Sequence, residues 1–387
     1  MGKRHILDYK TIYYIGIFIY VTVVNFQLSY LYLDLYSTGS GIVAILRILR
    51  YASYGLYSIY LISLRKMMGN RLLIITVFLA LGVVLSGVTQ MSITPFLYFL
   101  IILASNKTEF RKIIKIFLIV QIFFLCANIF ASQLGIYGED YVKEASRIRY
   151  FLGFGWVNRA SYCLLFICVE VLFLFPTWFS VSKVLIIGAI NGWLYLKTRT
   201  MYPMVITYVL LFTGIYVHIK VSRKRKINAR NLLYFSVALF TIACILQFLL
   251  PLVYDDSNYY WQILNKLVNS RLSYGQKAIK EYGLHLWGNQ IEWVGASTLL
   301  RGLSKSTTYF YVDSGFLQLA LDNGVIFTLS VITIYYFCIL KMYRERKVSG
   351  LFIFIILSIV FLFEPYVLDF AFNPFVLYPF TLKQPEN

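Results

Sequence analysis

The chain has 387 residues, 59% hydrophobic and 14% charged, with a formal net charge of +19 and a mean hydropathy of +0.71. A water-soluble domain of this length needs far more polar surface, so the composition excludes one and leaves no room for a second, soluble domain. The positive charge does not signal nucleic acid, because it sits in short clusters between apolar runs, as at Lys220, Arg223, Lys224, Arg225, Lys226 and Arg230, where cytoplasmic loops of membrane proteins carry it.

Apolar runs of about 20 residues cross a bilayer core, and they recur along the whole chain. The expected class is all-α: a polytopic integral membrane protein of about twelve helices in a single domain, 1–387. The spans are expected near 12–33, 41–64, 72–90, 92–105, 113–134, 160–179, 184–198, 202–219, 232–252, 324–343, 350–364 and 366–382. The basic N-terminus ahead of Thr11 resembles a signal peptide. The apolar run after it is too long for one and further spans follow, so it reads as a retained first helix. With the N-terminus inside, most Lys and Arg fall in cytoplasmic segments, which puts both termini in the cytoplasm. Cys126, Cys163, Cys168, Cys244 and Cys338 all lie in apolar segments, without metal-ligand spacing, and read as small buried side chains.

Two segments on the external side are long. The smaller is 135–159 and the larger 253–323. Connections of that length are functional or disordered, and the larger one is rich in Tyr and Trp, which argues for order. Within it Leu272, Gly275, Ile279, Tyr282 and Leu286 recur at helical spacing, with Ser270 as N-cap and Gly283 as the C′ residue. This predicts an amphipathic helix on or against the outer membrane face. A second short helix is predicted over 313–321 with Asp313 as its cap, ended by Asp322-Asn323-Gly324.

External arginines are the main chemical signal: Arg147, Arg149 and Arg159 in or beside the first loop, Arg199 at the outer end of the seventh span, and Arg271 and Arg301 in the large loop. Surface cations that bind lipid headgroups are the plain alternative. Arg271 falls in the first turn of its predicted helix, where free N–H groups and a guanidinium would converge on an anion. Arg199 lies at the membrane boundary, where a lipid pyrophosphate would sit. Glu170, near the middle of the sixth span, is a functional candidate by its cost alone; a structural ion pair with Arg47 or Arg50, or a protonated acid, is the competing reading. His285 has a pKa suited to acid–base work but is as readily an interfacial side chain. Asp313 is a candidate base as well as a cap. No phosphate loop, metal-ligand spacing or Asp-x-Asp pair is present, so neither metal nor cofactor is expected.

Four short segments, covering about 145–325, carry a resemblance. Arg149-Tyr-Phe-Leu-Gly-Phe-Gly-Trp-Val-Asn158 resembles the Arg-x-x-Leu-Gly-Phe…Asn signature of O-antigen and capsular polysaccharide polymerases (the Wzy type). Leu196-Lys-Thr-Arg199-Thr is similar to their Ser/Thr-Arg-Thr element. The run from Ser270 to Gly288 resembles the opening of their large external loop. Val312-Asp313-Ser-Gly-Phe-Leu-Gln-Leu…Asn-Gly324 is similar to the element that leads out of it. Val157 stands where the family often has Pro, and Ser314 where it often has Asn.

The resemblance implies a metal-independent, GT-C-like glycosyltransferase in the bacterial cytoplasmic membrane. Such enzymes join undecaprenyl-pyrophosphate-linked repeat units into a surface polysaccharide. The implied partners are the lipid-linked glycan donor and acceptor, membrane lipids and, as a candidate, a chain-length regulator protein. By the resemblance Arg149, Arg199 and Arg271 would handle the pyrophosphate; the candidates at the proton are His285, Asp313 or Glu170. Arg147, Asn158, Arg159, Glu170 and Trp287 complete the expected substrate-binding set. A ligase-like glycan transferase shares the large external loop. A lipid-linked oligosaccharide flippase shares the span number, but paired halves and short loops would be expected of it.

Overall fold

The computed structural model describes residues 9–64, 83–84, 87–89, 92–137, 140–144, 147–223, 225, 227–300, 302 and 308–383. The first predicted span is broken. Helix α1 (Tyr9–Gln27) stops, and α2 (Tyr30–Ser37) restarts where the Ser29 hydroxyl accepts the Tyr32 N–H at 3.2 Å. Helix α3 (Gly41–Leu64) matches its predicted span. The third predicted span, 72–90, lies almost wholly outside the described residues, as does Arg301. Helix α4 (Thr94–Ala104) has only 11 residues, and α5 (Phe110–Gln133) follows. Next comes a feature the all-α expectation missed. Strands β1 (Tyr141–Glu144) and β2 (Arg147–Tyr150) form an antiparallel hairpin with Tyr141 opposite Tyr150 and Val142 opposite Arg149. The period-two alternation of Ile148 and Tyr150 with arginines is the signal for it.

The remaining helices of eight residues or more, among those described, are α6 (Arg159–Leu174), α7 (Val181–Thr198), α8 (Met201–Ser222), α9 (Ala229–Val253), α10 (Tyr259–Leu267), α11 (Arg271–Tyr282), α12 (Gly315–Asn323), α13 (Val325–Arg344) and α14 (Val348–Phe363). Among the described residues six helices, α1, α3, α5, α8, α9 and α13, are long and apolar enough to cross a membrane. They leave large apolar side chains uncovered, such as Ile62 at 72%, Phe123 at 63% and Ile48 at 67% exposure. Water would penalise such a surface and lipid does not. The chain is therefore a mostly helical membrane protein.

The twelfth predicted span, 366–382, is not a helix. The segment carries Pro374 and Pro379 and forms only a 3-10 turn, Phe375–Phe380. Proline removes a backbone donor and blocks α-helix continuation.

The chain divides into two compact units: Met1–Met68 with Leu100–Ile227 and Phe370–Asn387, and Gly69–Phe99 with Asn228–Asp369. In the first, α1 packs on α3 and α5, and α6 packs on α5, α7 and α8. The C-terminal strap runs buried through this unit, with Phe372, Phe375 and Tyr378 fully covered. Irregular backbone at membrane depth survives only when protein satisfies its polar groups. Here Asn25 Nδ2 donates to Ala371 O (3.1 Å), and Gln121 Nε2 to Ala371 O and Phe372 O (3.2 and 3.3 Å). The ends of this unit differ. At one, Arg111 reaches Leu174 O and Lys107 N meets Phe380 O. At the other, α6 starts, α7 ends and α8 starts, beside the hairpin.

In the second unit α9 packs on α14, α13 and α11, and α12 packs on α13 and α14. The large loop is a folded lobe. Ala278, Phe310, Val312, Leu317 and Leu321 form its core, flanked by Ile279, Tyr282 and Trp293. Helix α11 has the predicted ends, but Leu272, Gly275 and Ala278 are buried in protein, so its apolar stripe does not lie on lipid as expected. The second loop helix begins later than predicted, with Ser314, not Asp313, at its cap position.

Candidate functional site

The four segments that carry the resemblance meet two by two, each pair within one unit. In the first unit, Arg149 on β2 donates from Nε to Thr198 O at 3.1 Å. This places a cation at the C-terminal end of α7, where the helix dipole favours it. The same loop turns at Gly153, whose φ is +76°. A Cβ there would stand 2.2 Å from Asn128 O, so both the turn and the close backbone approach require glycine. The Gly153 N–H reaches Asp140 Oδ2 at 2.7 Å.

Two residues, Arg199 and Thr200, link α7 to α8. Arg199 adopts the left-handed conformation, φ 52° and ψ 34°, which an L-residue enters at a cost that glycine escapes. Its side chain is exposed and makes no hydrogen bond or ion pair among the described residues. Beneath it lie three buried hydroxyls. Thr198 Oγ1 donates to Leu194 O (2.8 Å), so Thr200 Oγ1, 2.7 Å away, donates to Thr198, and Ser161 Oγ donates to Thr200 at 3.1 Å. Asn158, at the start of α6, has a buried Oδ1 with no hydrogen-bond partner among the described residues. Arg159 is half-buried in the first position of α6, and Arg147 is exposed on β2. This helix junction thus gathers Arg149, Arg199, Asn158, Arg159 and three hydroxyls.

In the second unit, Arg271 is not an open anion fork. Its Nη2 pairs with Glu364 Oε1 at 3.0 Å, with side chains only 16% and 7% exposed. Its Nε donates to Asp313 O at 3.2 Å and its Nη1 to Val268 O at 3.3 Å. Nor are the first N–H groups of α11 free. Ser270 is left-handed (φ 62°) and its hydroxyl cannot cap; Asn265 Oδ1 instead accepts from Leu272 N and Ser273 N at 3.1 and 3.2 Å. The expected convergence of N–H groups and guanidinium on a phosphate is therefore already filled by Asn265 and Glu364. Tyr309 donates to Asp313 Oδ2 at 3.4 Å. Burial, then the Asp313 charge, raises the Tyr309 phenol well above its ordinary pKa and keeps it a donor.

His285 follows the other end of α11, about 16 Å along the helix from Arg271. It is exposed, and its ring makes no hydrogen bond among the described residues. Trp287 is half-buried near it, where Gly288 and Gly324 interlock; a Cβ on Gly288 would sit 2.0 Å from Asp322 O, and one on Gly324 2.3 Å from Leu286 O. Trp293 Nε1 donates to Asp322 Oδ1 at 2.7 Å, and burial lifts the Asp322 carboxyl to about 7. An open groove of about 550 Å³ between α10 and α11 is lined by Tyr254, Asp256, Asn265, Gln276, Lys277 and Lys280.

Glu170 lies fully buried in the first unit. Gln121 Nε2 donates to its Oε1 at 2.9 Å, and it makes no ion pair with Arg47 or Arg50. Its neighbour is the amide that holds the strap, which gives it a packing role without any arginine of the helix junction. Sequence reasoning missed Glu364, Asn265, Ser161 and Thr200. A lone acid just past an apolar helix was the available signal for Glu364; hydroxyls and an asparagine in polar surroundings gave none. Comparison of the chain with family models, with characterised proteins and with solved structures gives no match.

Proposed function

We propose that this protein is a membrane glycosyltransferase that polymerises undecaprenyl-pyrophosphate-linked oligosaccharide repeat units on the outer face of the bacterial cytoplasmic membrane. The observation that supports this most is Arg199: an exposed guanidinium, unpaired among the described residues, held in a strained link between two helices, beside Arg149 and the N-terminal ends of α6 and α8. Helix N-termini and arginine forks favour phosphate oxygens.

In the proposed reaction an acceptor sugar hydroxyl attacks C1 of the donor glycan. The C1–O bond to the lipid pyrophosphate breaks, and its electron pair leaves with the diphosphate. The hydroxyl proton passes to a general base. Arg199 and Arg149 would neutralise charge growing on the leaving oxygens, and such preorganised donors are worth on the order of a hundredfold in rate each.

The test is polymer length in cells carrying R149A, R199A or R199K at normal protein level. Loss of long polymer with single repeat units still attached supports the reading. Polymer of normal length in all three removes it. In a deletion strain, absence of any attached glycan points to a ligase, and repeat units trapped on the cytoplasmic leaflet point to a flippase.

A further inference from the structure

Helix α10 presents an apolar stripe to its surroundings. Tyr259, Tyr260, Ile263, Leu264 and Leu267 are 69, 80, 41, 36 and 75% exposed. At helical spacing these five positions fall within an arc of about 140°. The opposite side faces protein. The Trp261 ring sits edge-on to Tyr254 at 6.3 Å, and Asn265 caps α11 and donates to the Tyr254 hydroxyl at 3.2 Å. Among the described residues of its own unit the stripe is therefore left uncovered and is not a misplaced core.

Continuity with the membrane identifies what covers it. Helix α9, 25 residues long and apolar enough to cross a bilayer, ends at Val253. Leu249, Leu252 and Val253 in its last turns are 46, 55 and 47% exposed, as lipid-facing side chains are. Residues 254–258 separate it from α10, and even fully extended they reach about 17 Å. Helix α10 thus begins within headgroup distance of the point where α9 leaves the hydrocarbon. Two tyrosines and three aliphatic residues, with Lys266 beside them, match a side that rests in the headgroup–acyl boundary.

We propose that α10 lies in the bilayer interface of the leaflet in which α9 ends, its stripe among the acyl chains, and that through Asn265 it sets the depth of the α11 N-terminus and of Arg271. The proposal does not depend on sugar transfer. It also moves the interfacial helix expected over 270–286 to the preceding segment.

The test uses the full chain in vesicles of phosphatidylethanolamine and phosphatidylglycerol. Exposed Cys126 is replaced by Ala, and the four buried cysteines stay. Nitroxides are attached at Leu264→Cys, Leu267→Cys and Tyr260→Cys on the stripe, and at Lys277→Cys on the exposed side of α11 as the aqueous reference. Collision with oxygen relative to a water-soluble nickel chelate is expected to be several-fold higher on the stripe than at 277. An equal ratio would place the stripe in water. Low accessibility to both quenchers would show a protein surface, such as a second copy, in place of lipid. Either result overturns the proposal, and three stripe positions guard against one variant that fails to fold.

Discussion

Replacing Arg199 by glycine separates its chemistry from its structural setting. The left-handed backbone, φ 52° and ψ 34°, costs an L-residue about 1–2 kcal/mol. Glycine escapes that cost but loses about 0.4–1 kcal/mol through the greater freedom of the unfolded chain. No hydrogen bond or ion pair of the side chain to the described residues is lost with it. R199G is therefore expected to be as stable as the parent, or more stable by up to about 1.5 kcal/mol. If the guanidinium grips a leaving diphosphate, transfer falls on the order of a hundredfold or more. R199K, which keeps charge but not the fork, recovers part of it. Thermal unfolding in detergent reads the first quantity and polymer length in cells the second. R199G that unfolds readily would show that the side chain holds the α7–α8 link. R199G that is stable and still makes long polymer would refute the assignment of Arg199 to the leaving group.

Glu364→Ala leaves the Arg271 guanidinium buried without its carboxylate, at a cost on the order of 3 kcal/mol; denaturant unfolding should show most of that loss restored in the E364A/R271M double variant, and equal instability of both would argue against the pair. Gln121→Leu removes the donor shared by Ala371 O, Phe372 O and Glu170, so about 1–3 kcal/mol of stability should go, with faster proteolysis of the C-terminal segment; an unchanged digestion rate would contradict the account of the strap. Asp322 holds its proton more tightly folded, with a pKa of about 7, than in the unfolded chain, where it is about 3.9. Its contribution is complete below about pH 4 and is lost as pH rises through about 7. D322N, which keeps the acceptor for Trp293, should flatten the pH dependence of lobe unfolding across that window and exceed the parent in stability above it. Identical slopes in the two proteins would disprove the buried-acid reading.

Class and the lengths of most helices were legible in the sequence because each is local or compositional. A 20-residue apolar run is a span wherever it is placed, and the Ser270–Gly283 boundaries of α11 follow from periodicity and capping residues close in the chain. Arg149 and Arg199 were also legible as cations at or beside helix ends, from motif order and the ends of the apolar runs. Their closeness was not, since Arg149 meets Thr198 across 49 residues of sequence.

What only the tertiary structure decided is where polar groups find their partners. Arg271 looked free to bind an anion, but Glu364, 93 positions away, already neutralises it. The capping bonds that Ser270 was expected to make come from Asn265 on the preceding helix. A segment as apolar as 366–382 reads as a span, yet it forms a buried strap because the distant side chains of Asn25 and Gln121 satisfy its carbonyls. Helix propensity and hydropathy are sums over neighbours in sequence, whereas satisfying a buried hydrogen-bonding group depends on which distant residue the fold brings beside it.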